Sequence, residues 1–100
     1  MEADAIWEDD LTRQLAEVLT SIKSASDMQN FLRDVMTERE IIEISGRLEA
    51  AKMLASGSRY VDVMERTQLS SRTVARVSEW RTNGCGGYDF AINLLNDKKR

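Results

Sequence analysis

The stretch from Tyr60 to Arg81, YVDVMERTQLSSRTVARVSEWR, contains the pattern that decides the fold. Two amphipathic segments, each too short to persist as an isolated helix, flank a tight turn at about residue 68. The apolar side chains that two crossed helices would bury are Val63, Leu69, Val74 and Val77. This spacing predicts a helix-turn-helix, with one helix over about residues 59–67 and a second from residue 70 or 71 to residue 81.

The outward positions of the second segment carry hydroxyls and arginines, namely Ser71, Arg72, Thr73 and Arg76. Such side chains bond phosphates and base edges, and an arginine can hold O6 and N7 of guanine by two hydrogen bonds. In a helix-turn-helix, the second helix enters the major groove of DNA. We therefore predict that this segment reads duplex DNA.

Two positions depart from the usual helix-turn-helix pattern. Gln68 occupies the turn position where glycine is usual, because glycine adopts a positive φ without strain. Met64 replaces the small residue that is usual where the two helices cross. Any antiparallel helix pair in a bundle could show the same apolar spacing, so that alternative stays open.

Apolar stripes and capping residues divide the rest of the chain into further helices. A stripe with helical period contains Leu11, Leu15, Val18, Leu19 and Ile22. Ser26 with Gln29, and Thr37 with Glu40, form the capping boxes that open helices. The predicted helices cover about residues 11–22, 26–36, 37–54, 59–67, 70–81 and 88–96. The expected class is all-α, with about six helices.

The composition of the 100 residues excludes several classes of function. The chain has no histidine, which is the commonest general base and metal ligand, and one cysteine, Cys85. A single thiol builds neither a zinc or iron–sulfur site nor an intramolecular disulfide. No apolar run is long enough to cross a membrane, and the first residues are acidic rather than basic. We expect no enzyme, no catalytic residue, no metal site and no membrane partner.

The net charge of −3 is unevenly distributed along the chain. Residues 1–45 contain four basic and eleven acidic side chains, a net charge of −7. Residues 46–100 contain ten basic and six acidic side chains, a net charge of +4. This asymmetry is typical of a polyanion-binding part joined to a solvating or dimerising part. Alternatively, acidic and basic helices face one another within the fold.

The order and spacing of several motifs resemble one known family. The motifs are TERE at residues 37–40, RLEAAKML at residues 47–54, Gly57, Tyr60, SRTVARV at residues 71–77 and GGY at residues 86–88. Together they look like the Trp repressor superfamily, and are most similar to its YerC/YecD-like branch. The resemblance covers about residues 10–96.

This resemblance implies a six-helix Trp-repressor-like fold with a helix-turn-helix, whose subunits interlock as a twofold dimer. One domain would cover residues 1–100, with dimerisation helices at about 8–57, the helix-turn-helix at 58–82 and a last helix and tail at 83–100. It also implies a bacterial, cytoplasmic, nucleoid-associated repressor that binds specific double-stranded DNA sequences as a homodimer. The alternative function is a helical protein-interaction module with a degenerate helix-turn-helix. The acidic first part of the chain and the residues at positions 64 and 68 favour this alternative.

The resemblance also implies which residues contact DNA. Ser71, Arg72 and Thr73 would meet base edges, and Gln68 and Arg76 would lie near phosphates. The complete expected set is Arg59, Gln68, Ser70, Ser71, Arg72, Thr73, Arg76 and Arg81.

The same resemblance raises the question of a small-molecule effector. Members that bind tryptophan hold it with an arginine on the long helix, an arginine on the reading helix and a glycine after the latter. Arg47 and Arg76 match the arginines and mark a possible effector pocket, but Val77 takes the glycine position. Because the valine side chain would project into the space for the indole, we expect no cofactor. Arg47 would then form a surface salt bridge and Arg76 a phosphate contact.

Overall fold

The computed structural model describes residues 5–98, and these residues form helices joined by short turns. A short 3-10 helix, Ala5–Glu8, precedes α1 (Asp10–Ser21), α2 (Ala25–Val35), α3 (Glu38–Ala55), α4 (Tyr60–Thr67), α5 (Ser71–Asn83) and α6 (Gly87–Lys98). No strand occurs in this range, which confirms the predicted all-α class with six helices. Within the same range no helix is both long and apolar enough to cross a membrane. Residues 99–100, the end of the tail predicted within 83–100, lie outside the described residues.

The capping box at the start of α3 forms as predicted. The backbone N–H of Glu40 donates to Thr37 Oγ1 at 3.1 Å, and the backbone N–H of Thr37 donates to Glu40 Oε1 at 2.8 Å. These hydrogen bonds, of which the backbone one has the larger effect, lower the pKa of the Glu40 carboxyl. Each bond satisfies an N–H group that has no partner within the helix, so the first turn begins at residue 38.

The cap of α2 differs from the prediction, which placed it at Ser26. Ser24 is the capping residue: its backbone is extended, with φ −99° and ψ 146°, and its Oγ accepts from the backbone N–H of Asp27 at 3.0 Å. Ser26 lies inside the helix, and its Oγ is 3.5 Å from Ser24 Oγ. A capping residue must precede the helix with non-helical φ and ψ, and Ser26 does not meet this condition.

The chain divides into two compact units, one up to Ile41 and the other from Ile42 onward. In the first unit, the 3-10 helix packs on α1. Neither α1 nor α2 contains a buried residue. The large apolar side chains that stay exposed in this unit are Ile6, Trp7, Leu11, Leu15, Val18 and Val35. Within residues 5–98, the apolar stripes that predicted these helices are therefore only partly covered.

The second unit contains the hydrophobic core, where α4 packs on α5 and α5 packs on α6. Five buried side chains form one cluster, namely Ala50, Ala51, Val63, Val74 and Val77. The two alanines belong to α3, where small side chains allow the helices to approach closely. The core positions predicted at Val63, Val74 and Val77 are confirmed, and Leu69 is half-buried against them.

The turn between α4 and α5 depends on one left-handed residue. Gln68 has φ 61° and ψ 16°, and its backbone N–H donates to the carbonyl of Met64 at 2.8 Å. Its side-chain Nε2 also donates to the carbonyl of Glu65 at 2.8 Å. The left-handed conformation costs a residue with a Cβ atom roughly 1 kcal/mol. Glutamine therefore makes the turn that glycine usually makes, at the cost of local strain.

Replacing Gln68 with glycine is expected to raise the free energy of unfolding by about 1 kcal/mol, because glycine adopts a positive φ without strain. Gln29→Gly is the matched control, because Gln29 is exposed within α2. That change should lower the free energy of unfolding by about 1 kcal/mol. Urea denaturation of both variants measures whether each change raises or lowers the free energy of unfolding. Equal destabilisation by both would show that the side-chain bond to Glu65 outweighs the backbone strain.

Candidate nucleic-acid interface

Helix α5 has a buried side and an exposed side. Val74 and Val77 point into the core with 0% and 2% exposure. The residues opposite them are exposed, because successive turns of a helix repeat every 3.6 residues. We call this exposed side the reading face, and it consists of Ser71, Arg72, Ala75, Arg76 and Glu79. The core thus holds α5 by one side and presents the other to solvent.

Two of the hydroxyls at the start of α5 form hydrogen bonds within its N-terminal cap. Ser70 Oγ accepts from the backbone N–H of Thr73 at 3.2 Å and donates to Thr73 Oγ1 at 3.1 Å. Thr73 is half-buried rather than exposed. Two of the three hydroxyl residues predicted at this end therefore bond each other. Ser71 is the one whose hydroxyl stands on the reading face.

The four arginines predicted to contact DNA fall into two pairs. Arg72 and Arg76 are exposed on the reading face, and neither forms an ion pair with any of residues 5–98. Arg59 forms two hydrogen bonds with Asp62, at 3.1 and 3.3 Å, which raise the pKa of its guanidinium. Arg81 is half-buried and pairs with Asp89 at 3.3 Å. Two cations are thus available for phosphates or bases without breaking a contact.

The predicted DNA-contacting residues occupy several places in the fold. Five of them lie together along the turn and the first turn of α5, namely Gln68, Ser70, Ser71, Arg72 and Thr73. Arg76 follows one helical turn later. Arg59 occupies the N-cap position of α4 without a side-chain capping bond, and Arg81 lies near the end of α5, where its ion pair joins α5 to α6.

The prediction omitted two residues of the reading face, Ala75 and Glu79. Both are exposed, at three and seven positions after Arg72. Glu79 accepts a hydrogen bond from Asn83 Nδ2 at 3.2 Å. Neither residue is a hydroxyl or an arginine, although the helical period counted from Arg72 identifies both positions.

The two arginines of the possible effector pocket line one small cavity. Its volume is about 70 Å³, and its walls are Arg47, Thr73, Arg76, Val77, Trp80 and Tyr88. Arg47, Trp80 and Tyr88 also line a larger space beside this cavity. Val77 is part of the buried core and closes one side. Arg47 itself forms a long ion pair with Glu43 at 3.4 Å.

A larger open groove of about 490 Å³ lies beside this cavity, between α3, α5 and α6. Most of its walls are apolar, and they include Ile44, Leu48, Trp80, Tyr88 and Ala91. Gly84 lies against Trp80, since a Cβ atom at position 84 would come 2.4 Å from the Trp80 carbonyl oxygen. The groove is thus an exposed apolar surface, and Gly84 is one of the residues that line it.

Metal-ligating side chains do not gather in the described part of the chain. Across residues 5–98, no group of three acidic or cysteine side chains could hold a metal ion. Cys85, whose role the sequence does not indicate, is exposed in the glycine-rich joint between α5 and α6.

Several known proteins are similar to this chain over most of its length. The family model described as Trp repressor protein matches residues 11–96. The uncharacterised protein YerC of Bacillus subtilis is 30% identical over 84 residues, which are 84% of this chain and 81% of YerC.

Two crystal structures have a TM-score of 0.87 to the chain. A TrpR-like protein from Eubacterium eligens is 33% identical and covers 92% of this chain and 95% of its own. A candidate Trp repressor from Staphylococcus aureus is 22% identical, covers 96% of both chains and shows the fold alone.

Proposed function

The chain belongs to the Trp repressor family, as its motifs predicted, and we propose that it is a homodimeric regulator that binds specific duplex DNA sequences. The family is one of DNA-binding regulators and not of enzymes. One observation carries the proposal: the core holds α5 by its apolar side, and two arginines that form no ion pair within residues 5–98 stand on its reading face.

The dimensions of α5 suit the major groove of DNA. Its 13 residues extend about 20 Å, and a helix with side chains is roughly 10–12 Å wide, close to the groove width of about 12 Å. The amino-terminal residues of a reading helix meet base edges, so Arg72 would bind O6 and N7 of a guanine. Arg76 lies one turn further along and would bind a phosphate at the edge of the groove.

The homodimer part of the proposal is supported by apolar surface that the chain leaves exposed. Exposed large side chains in the second unit include Ile42, Ile44, Trp80, Phe90 and Leu94, and the open groove lies among three of its helices. The first unit buries no residue of α1 or α2. Large exposed apolar patches mark protein interfaces, and a twofold copy would cover the same surface on both chains.

We propose that DNA binding requires no tryptophan. The cavity beside Arg47 and Arg76 is small, and the buried side chain of Val77 occupies the side where tryptophan-binding relatives have glycine. We further propose that the protein acts at the nucleoid in a bacterial cytoplasm, and the bacterial origin of its relatives supports the bacterial part of this proposal. Repression would follow from occupancy of the operator.

Selection of bound duplexes from a random pool, without added tryptophan, tests the proposal. We expect a twofold-symmetric motif whose half-sites are centred about 34 Å apart, one turn of DNA. Sedimentation at micromolar concentration should give a dimer. A monomer that enriches no motif would contradict the proposal. Loss of duplex binding even at low salt, with the dimer intact, would favour the protein-interaction alternative.

A further inference from the structure

The reading face has one apolar side chain, the methyl group of Ala75. The other four members of that face are a hydroxyl, two guanidinium groups and a carboxylate. Ala75 is exposed and lies in the second turn of α5, three residues after Arg72 and four after Ser71. Residues at these separations are neighbours on a helix surface, so the methyl adjoins the side chains at the amino-terminal end of the reading face.

The cap of α5 limits what else can distinguish base pairs at this end. The hydroxyls of Ser70 and Thr73 bond each other, and Thr73 is half-buried. Arg72 can recognise guanine but cannot identify a neighbouring A·T pair. After Ser71 and Arg72, the next exposed side chain along the helix is that of Ala75. Its methyl group forms no hydrogen bond, so it distinguishes base pairs only by contact with an apolar group.

Thymine is the base that presents a methyl group in the major groove, and alanine is among the side chains that contact it. We propose that Ala75 contacts the C5 methyl of a thymine in each half-site, adjacent to the base read by Arg72. Three residues advance about 4.5 Å along a helix, and successive base pairs are about 3.4 Å apart. The thymine therefore belongs to a base pair next to that guanine. This inference rests on the proposed function, since it requires α5 to enter the groove.

Uracil substitution in the selected duplex tests the inference, because uracil lacks the methyl group and keeps the hydrogen-bonding groups of thymine. Each thymine is replaced in turn, and the affinity of the full-length protein is measured. We expect one position per half-site at which the affinity falls about fourfold, and about sixteenfold when both half-sites are changed. In Ala75→Gly the same substitution should have no effect.

Ala55→Gly is the matched control, because Ala55 is exposed at the end of α3, away from the reading face. It should keep the full uracil effect. The ratio of thymine to uracil affinity is taken within each variant, so a change in folding stability cancels. The inference is overturned if no thymine responds, or if Ala75→Gly responds like the unchanged protein. Specific binding without any methyl effect would overturn this inference alone, whereas absence of duplex binding would overturn the proposed function with it.

Discussion

Replacement of Arg72 by alanine is expected to lower the affinity for the selected operator roughly a thousandfold, from a loss of about 2 kcal/mol at each of two half-sites. The reason is that this guanidinium is exposed, lies in the first turn of α5 and has no ion-pair partner among residues 5–98. Removing it takes away two hydrogen bonds to guanine, so the preference at one base pair per half-site should also disappear. Binding isotherms across a library of single-base operator variants measure both effects.

Arg76→Ala is the matched control, because Arg76 is also exposed and unpaired within the described range. If it binds phosphate, its loss should weaken binding to all sequences alike and reduce the slope of log affinity against log salt by about 2 for the dimer. Identical losses across the library for both variants would show that the base-reading and phosphate roles are assigned wrongly.

Replacement of Val63 by alanine should lower the free energy of unfolding by about 2 kcal/mol, through lost burial and the cavity left behind. Val63 is 0% exposed and is one of five buried side chains in the second unit. In so small a core, each side chain contributes a large share of the burial. Urea denaturation at a fixed protein concentration measures the change.

Val61→Ala makes the same chemical change on the same helix at a residue that is 57% exposed. Its effect on the free energy of unfolding should stay within about 0.5 kcal/mol. The change in helix propensity is the same in both variants. The difference between their free energies of unfolding therefore measures the contribution of burial. Equal effects would mean that Val61 is covered in the assembled protein, or that the core near Val63 is not closed.

Most of the helical architecture could be predicted because its signals are local. The apolar period identified Val63, Val74 and Val77, and the capping box identified the start of α3. The error at α2 has a physical reason, since Ser24 and Ser26 are the same type of residue and serine is a common helix cap. Backbone conformation, rather than residue type, makes Ser24 the cap.

The candidate site could be predicted only in part. The sequence placed Ser71, Arg72 and Arg76 on an outward side of the second helix, and the structure has all three exposed. The prediction took all four arginines of the expected set to be available for DNA. The pairing of Arg59 with Asp62 lies within one helical turn and could have been inferred from spacing. The pairing of Arg81 with Asp89 could not, because a turn of the chain separates the two helices that carry them.

The sequence by itself determined the helices, their order and the inward side of the helix-turn-helix, because each depends on side chains within a few positions of one another. The family also followed from motif order, since relatives share spacing along the chain. The tertiary structure decided which polar groups remain available on α5 and how much space lies beside Arg47 and Arg76. These depend on where separate helices place their side chains. The Arg81–Asp89 ion pair and the cavity walls are formed by groups distant in sequence, so no local pattern specifies them.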